Sequence, residues 1–489
     1  MLIVGPSSTQ LSAQYYSTVI NTPDTARVGR GILLLENNTL IRIGAKCEPD
    51  ARDCGHIISV DNQGQVVWRT IIDVFDFGND NVIQERNDIV YLSGYNGNQS
   101  EDNHFGRQLI SSSGAKVNFQ YSNIEDVKAT INYGSLLLNN DTWLQYGSYQ
   151  KDSIIDGFIF MHSDADGNHI REDRYEAGYF LHNIWDVAER SDGSLVFLSE
   201  IDAPDNVLSE IRYRVDVVTP NNEVETLYDA GKITRQSGWS LDMIATGDGY
   251  VFTLPDEQDF FITNYRKIDL DGNVVWSKEY DSALVPNFLD HRELYPCANG
   301  DILICGRYGV RADELVINRS GIITRITADG DVLWQKQYTH QDPVTGEHRE
   351  STLMDILEDQ QGNIVATGLV RNVYDGVRTS DTWILKVDAD GCLGDTGDCG
   401  VLVTDVVELP ELSSTMSIYP NPLQIGSSLT IANLPQGEHV VNIYGITGQQ
   451  VASTTVSSKS NTMEIDVSSG LYIVSIPLLG VTSKLYIQE

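Results

Sequence analysis

Asp271-Gly272-Asn273-Val274-Val275-Trp276 and Asp329-Gly330-Asp331-Val332-Leu333-Trp334 are two copies of one unit, a tight turn followed by a strand that ends in tryptophan. Asn62-Gln63-Gly64-Gln65-Val66-Val67-Trp68 is a third, and weaker copies stand at Gly114, Gly167, Asn222 and Gly391. The turn positions are separated by 50, 53, 55, 50, 58 and 61 residues, a loosely kept period. A second landmark runs in phase with it: hairpin turns at Asn38, Asn87, Asn140, Gly193, Gly249, Gly300 and Gly362, each between two β-rich stretches. Seven of each landmark implies seven units, each of about four strands. A single four-stranded sheet cannot bury both faces, whereas a ring of such sheets can. The spacing therefore predicts a seven-bladed β-propeller over residues 14–400.

The seventh unit reaches Asp388-Ala389-Asp390-Gly391 and runs into Cys392-Leu393 with no fourth strand to follow. At the other end, residues 14–20 are β-rich and have no partner of their own. Together these predict that the N-terminal stretch supplies the outer strand of the seventh blade and closes the ring, which also satisfies two edges otherwise left open. Residues 401–415 are acidic, contain Pro410 and read as a linker.

Beyond the linker the pattern changes. Residues 416–489 carry Ser417-Ile418-Tyr419-Pro420-Asn421-Pro422, then Tyr444 and Gly448 within Val441 to Val451, then Gly470-Leu471-Tyr472, and finally Lys484-Leu485. Short alternating runs at 428–432, 440–444 and 471–476, separated by Gly, Pro and Asn, are the pattern of a half-buried antiparallel sheet. Two prolines around Asn421 withhold two ladder donors, so the segment is expected to open the module on an edge.

In order and spacing these motifs resemble the C-terminal sorting domain of type IX secretion substrates. The resemblance implies a small Ig-like β-sandwich, a secreted or outer-surface location, and the type IX machinery as partner. The residues that carry it are Tyr419, Pro420, Asn421, Pro422, Tyr444, Gly448, Gly470, Tyr472 and Lys484. The fold class is then all-β, a seven-bladed propeller followed by a small sorting module.

Composition narrows the partners. The formal net charge is -36 over 489 residues, and most of the acid lies before residue 401. Nucleic acid and anionic membranes require clustered Lys and Arg and are poor partners for such a surface. Neutral glycans, basic proteins and cations remain open. No apolar run approaches the length that spans a bilayer, and a monomer is expected. Residues 1–13, with Leu2-Ile3-Val4 and then Leu11-Ser12-Ala13, read either as the remnant of a signal peptide or as a disordered tail.

Six cysteines suit an oxidising compartment. Cys47 with Cys54 and Cys392 with Cys399 are expected as local staples across short acidic loops, while Cys297 and Cys305 flank the Asn299-Gly300 turn out of register for a bridge.

Asp-x-Asp-Gly at Asp164, Asp269 and Asp388 invites comparison with calcium loops, but the remaining ligand positions do not follow, and hairpin turns explain the residues. A different set of acids sits seven residues before the hairpin turns: Asp80, Asp186, Asp242, Glu293 and Asp355, in the innermost strands. Converging on one channel mouth they would offer a calcium site; alternatively, each caps backbone N–H groups at its own blade. No cofactor is indicated, and no nucleophile, metal-protease or phosphate-loop signature appears. Repeated tryptophans after the turn are explained by blade packing. The longer connections, 95–106, 278–290, 308–321, 337–349 and 370–381, crowd the face opposite the tight turns, where binding is expected. The sequence thus points to an exported propeller that binds a glycan or protein. The alternative is an extracellular polymer-degrading enzyme with its site at the channel mouth.

Overall fold

The structure is a computed structural model. It describes residues 15–393 and 417–488 apart from 21–27, 37, 48–51, 73–82, 96–104, 122–123, 125, 128, 152–154, 177–180, 203–209, 235–240, 256–262, 280–286, 313–314, 342–347, 375–376, 433–437, 446–448, 458–459, 466 and 477–480. Among these residues there is no helix, and seven four-stranded antiparallel sheets account for the ring.

Blade one is built from Val28–Leu34, Asn38–Cys47, Arg52–Asp61 and Val66–Ile72. The next five blades repeat this in sequence order, opening on Ile83–Arg86, Ala129–Leu137, Leu181–Glu189, Met243–Thr246 and Asn287–Pro296. Each opening strand contacts the opening strands of both neighbouring blades, and Ser351–Glu358 of blade seven completes the circle against Val28–Leu34. These strands therefore line the centre of the ring.

Closure takes the form expected from the sequence. Tyr16–Ile20 pairs antiparallel with Val377–Val387, from Tyr16 opposite Lys386 to Ile20 opposite Thr382, and is the outer strand of blade seven. The Trp383 indole N–H donates to Ser17 Oγ at 2.9 Å.

The cores lie between blades rather than within them. Phe158 and Phe160 of blade three pack with Ile184 and Phe197 of blade four, and Val196 and Leu198 on the other face of blade four pack with Tyr250 and Phe252 of blade five. Strand alternation sends successive side chains to opposite faces, so every blade contributes to two cores and needs both neighbours.

Seven turns of one design follow the third strands, and in the first six blades they lead directly into the fourth. Each begins with Asp61, Ser111, Asp164, Thr219, Asp269, Thr327 or Asp388, whose side-chain oxygen accepts the amide hydrogen four residues on. The fourth residue of each turn has positive φ, from 64° at Asn222 to 87° at Gly114 and Gly272. Asp164, Asp269 and Asp388 are thus capping side chains of hairpin turns.

Residues 417–488 form a separate unit with its own core. A three-stranded sheet of Ser417–Tyr419, Ser428–Ala432 and Thr462–Glu464 faces a five-stranded sheet that includes Leu423–Gln424, Val481–Gln488, Gly470–Ile476, Glu438–Gly445 and Gln450–Ser457. Leu429, Ile431, Val441, Ile443, Val474, Leu485 and Ile487 are buried between them, which is the sandwich that the alternating runs predict. The expected tail at 1–13 and linker at 401–415 lie outside the described residues.

Candidate functional site

The sorting motifs come first because they are complete enough to read. The peptide bonds before Pro420 and Pro422 are both cis, and the segment runs over the exposed edge of the module, where neither proline removes a needed ladder donor. Asn421 supplies what the prolines cannot: its side-chain amide donates to the Lys484 carbonyl at 2.8 Å and accepts from the Tyr486 amide at 2.9 Å. One side chain thus imitates a backbone bridge to the last strand, directly before Leu423 pairs in parallel with Ile487. Tyr472 is buried, and its hydroxyl donates to the Ser468 carbonyl at 2.9 Å, locking the corner that includes Gly470. Tyr444 is half-buried and lies opposite Ile473. Tyr419 and Lys484 present their side chains to solvent. Gly448 lies outside the described residues.

The inner-strand acids do not assemble as a cation ring among the described residues. Asp242 accepts the amide of Met243 on one oxygen and that of Leu294, in the next blade, on the other. Asp355 does the same with Ile356 and with Ile32 of blade one. Asp186 accepts from the Val187 amide and from the Tyr146 hydroxyl of the preceding blade. Their oxygens are committed to stitching neighbouring blades together, a role the capping alternative half anticipates, since it places the partners in the same blade only. Glu293 is buried at a register shift beside His291, Asp80 lies outside the described residues, and no three acidic, His or Cys side chains among the described residues are placed to share an ion.

Outer strands grip the next turn in a corresponding way. The Trp68 ring covers Gly114, the Trp276 indole donates to the Ala328 carbonyl at 3.1 Å, and the Tyr338 hydroxyl donates to the Gly391 carbonyl at 2.8 Å. The tryptophans therefore serve blade packing.

His291 is buried against the ring of Tyr265, and burial pushes its imidazole down to about 3. Glu350 pairs with Arg371 at 3.0 Å. Cys297 and Cys305 are buried thiols: Cys297 occupies the turn opposite Asp301, and Cys305 lies opposite Glu293, so the two are out of register with each other. The register sets Cys47 opposite Arg52 and Cys54 opposite Ala45, an offset of two residues. The side chains of Cys47 and Cys54, and Cys399 altogether, lie outside the described residues.

Strand order puts both families of tight turns on one face and the longer connections on the other. Residues 96–104, 280–286, 342–347 and 375–376, on which the expected binding face depends, lie outside the described residues. The turn face, which the sequence did not single out, holds a small open cleft between blades three and four. Leu138, Leu195 and Val218 form its floor and Tyr175 a wall, with Tyr175 fixed by stacking on Phe158 at 4.9 Å. At the rim His162 Nε2 and Arg171 Nε lie 3.1 and 3.2 Å from the same oxygen of Asp173. The hydrogen bond from His162, with Arg171 alongside, holds the Asp173 carboxyl below the usual carboxylate range, while burial and that carboxylate push the Tyr175 phenol up to about 12. Across the cleft, Glu189 accepts the Asn139 amide at 2.6 Å.

Comparison with known proteins agrees with this division. Residues 417–487 match the secretion system C-terminal sorting domain, so the chain is exported by the type IX system and engages its machinery. No curated protein matches the chain. Among solved structures it is similar to the β-propeller domain of the trilobed protease of Pyrococcus furiosus, with 8% identity over 76% of this chain and 97% of that one at a TM-score of 0.41. It is also similar to extracellular domains 1–2 of Drosophila semaphorin 1a (9%, 78% and 89%, TM-score 0.42) and to the Bombyx mori GH32 β-fructofuranosidase (10%, 85% and 87%, TM-score 0.30). Likeness at this level carries no argument about activity.

Proposed function

We propose that the ring is an extracellular binding module for a glycan or a protein, delivered by the sorting module behind it. The observation that supports this reading most is the segregation of connections: seven capped turns hold one face, and the longer connections all emerge on the other. Variable loops on a rigid scaffold are a common way to build a recognition surface. The acids at the centre support binding over hydrolysis, because Asp186, Asp242 and Asp355 accept hydrogen bonds that hold the ring together. A glycosidase needs two carboxylates held opposite each other across the scissile bond.

The test is to screen the mature chain against glycan and matrix-protein arrays while assaying the same glycans for new reducing ends. Saturable retention without cleavage is the expected result; release of reducing ends would replace this reading with that of a polymer-degrading enzyme. Two features of the exported state belong to the same proposal, removal of an N-terminal signal peptide near Ala13 and local disulfides at Cys47–Cys54 and Cys392–Cys399. Both are read directly from the intact mass and non-reducing peptide map of secreted protein.

A further inference from the structure

The chemistry of the cleft between blades three and four restricts what it can hold. Its floor is apolar, so a ligand must offer C–H surface to Leu138, Leu195 and Val218 and to the edge of Tyr175. Its rim is polar, with the guanidinium of Arg171 60% exposed at the mouth and Glu189 across from it. Asp173 is shared by His162 and Arg171, and a cation at the mouth meets the exposed guanidinium of Arg171. An anion meets Glu189 and the field of a chain carrying -36. What remains is a neutral molecule with apolar faces and hydroxyls around its edge.

We propose that this cleft, floored by Leu138, Leu195 and Val218 and rimmed by Arg171, Asp173 and Glu189, binds one neutral sugar residue of a glycan. The proposal rests on the reading of the ring as a binding module and places a glycan subsite on its turn face. Tyr175 is held by Phe158 behind it and by its hydroxyl at 3.3 Å from Asn222 Oδ1, so the wall needs no rearrangement to receive a ligand, and preorganisation lowers the entropic cost of binding. Arg171 and Asn222 can donate to sugar hydroxyls, and Glu189 can accept.

Calorimetry of the full chain with maltotriose, cellotriose and tri-N-acetylchitotriose tests this. At least one is expected to bind with a Kd on the order of 1 mM, as suits a shallow single-residue site, and a trigalacturonate of equal length is expected to bind at least tenfold more weakly. Arg171→Trp and Asn140→Trp each set an indole at the cleft from exposed positions, and each is expected to weaken binding at least tenfold in a chain that still unfolds cooperatively, Asn140→Trp with a small loss of melting temperature because it gives up the hydrogen bonds from Thr142. Binding that survives both substitutions overturns the cleft while leaving the ring a glycan binder. Binding of none of the trisaccharides by the unaltered chain overturns the cleft and the glycan reading together, and preference for the galacturonate overturns the neutral class.

Discussion

The carboxylate of Asp355 accepts the amide hydrogen of Ile32 from across 323 residues of sequence. Its second oxygen accepts the amide of Ile356, so a single buried side chain spans the junction where the ring closes. Asp355→Ala leaves both amides without that acceptor. An unsatisfied buried donor costs about 1–3 kcal/mol, so the variant is expected to lose about 2–4 kcal/mol in urea unfolding of the full chain. Asp355→Asn keeps one acceptor oxygen but turns an N–H toward the other amide, and should recover less than half of the loss. A change below about 0.5 kcal/mol for Ala would mean that the junction does not depend on this side chain.

Gly272 and Gly300 both have φ near 90° but differ in surroundings. A Cβ on Gly272 would lie 2.1 Å from the Leu227 carbonyl oxygen of the preceding blade, whereas one on Gly300 meets nothing within 4 Å. Gly300→Ala carries only backbone strain, about 1–2 kcal/mol. Gly272→Ala carries the same strain and also pushes two blades apart, so its cost should exceed that of Gly300→Ala by at least about 1 kcal/mol. Equal melting temperatures for the two variants would show that the blade four–five contact is loose.

This contrast also explains how much of the molecule the sequence reveals. Turn residues and strand periodicity are local, so seven blades, the closing strand at 16–20 and the sandwich at the C-terminus are visible in Gly64, Gly272, Trp276 and the segments around them. Interactions between blades are not local. The inner-strand position of Asp242 is readable, but that its acceptor oxygen faces Leu294 in the next blade depends on ring geometry that no spacing encodes. The cleft of Tyr175, His162 and Glu189 escapes for the same reason, since its walls come from two blades and its residues follow no repeat. The one signal that could have been found is the Asp, Ser or Thr three residues before each positive-φ turn position, present in all seven units.

Two of the groups that contribute to acid sensitivity act in separate windows. The folded-state value of His291, about 3, lies below its ordinary value of 6.5. The unfolded chain therefore takes up a proton that the native chain refuses, and stability that is fully present above pH 6.5 is lost as pH falls toward 3, by up to about 4–5 kcal/mol. Asp173 is also held low, by His162 first. Its contribution is present above the ordinary carboxylate value and is lost only below about pH 4. Unfolding free energies of the full chain measured from pH 7 to 4 should fall steeply, and His291→Phe should flatten that slope. Asp173→Asn should lower the curve by a near-constant amount above about pH 4 and leave its slope between pH 7 and 4 unchanged. A slope between pH 6.5 and 4.5 unchanged by His291→Phe would mean that the group buried in its neutral form lies elsewhere.

The Asn421 side chain serves the Lys484 carbonyl and the Tyr486 amide at once. Asn421→Ala removes both hydrogen bonds at an exposed edge and is expected to cost about 1–2 kcal/mol. The loss should concentrate where the last strand meets the Tyr419–Pro422 segment. In hydrogen exchange of the full chain, the Tyr486 amide should exchange roughly ten times faster, as a local loss of about 1.4 kcal/mol implies, while amides of the ring stay unchanged. Asn421→Asp retains the acceptor for Tyr486 but sets a carboxylate oxygen against the Lys484 carbonyl, so it should be no better than Ala, and worse above pH 5. If an anchored last strand is what the export machinery recognises, the secreted fraction should fall in the same order as Tyr486 protection. Full export with lost protection would separate recognition from this contact.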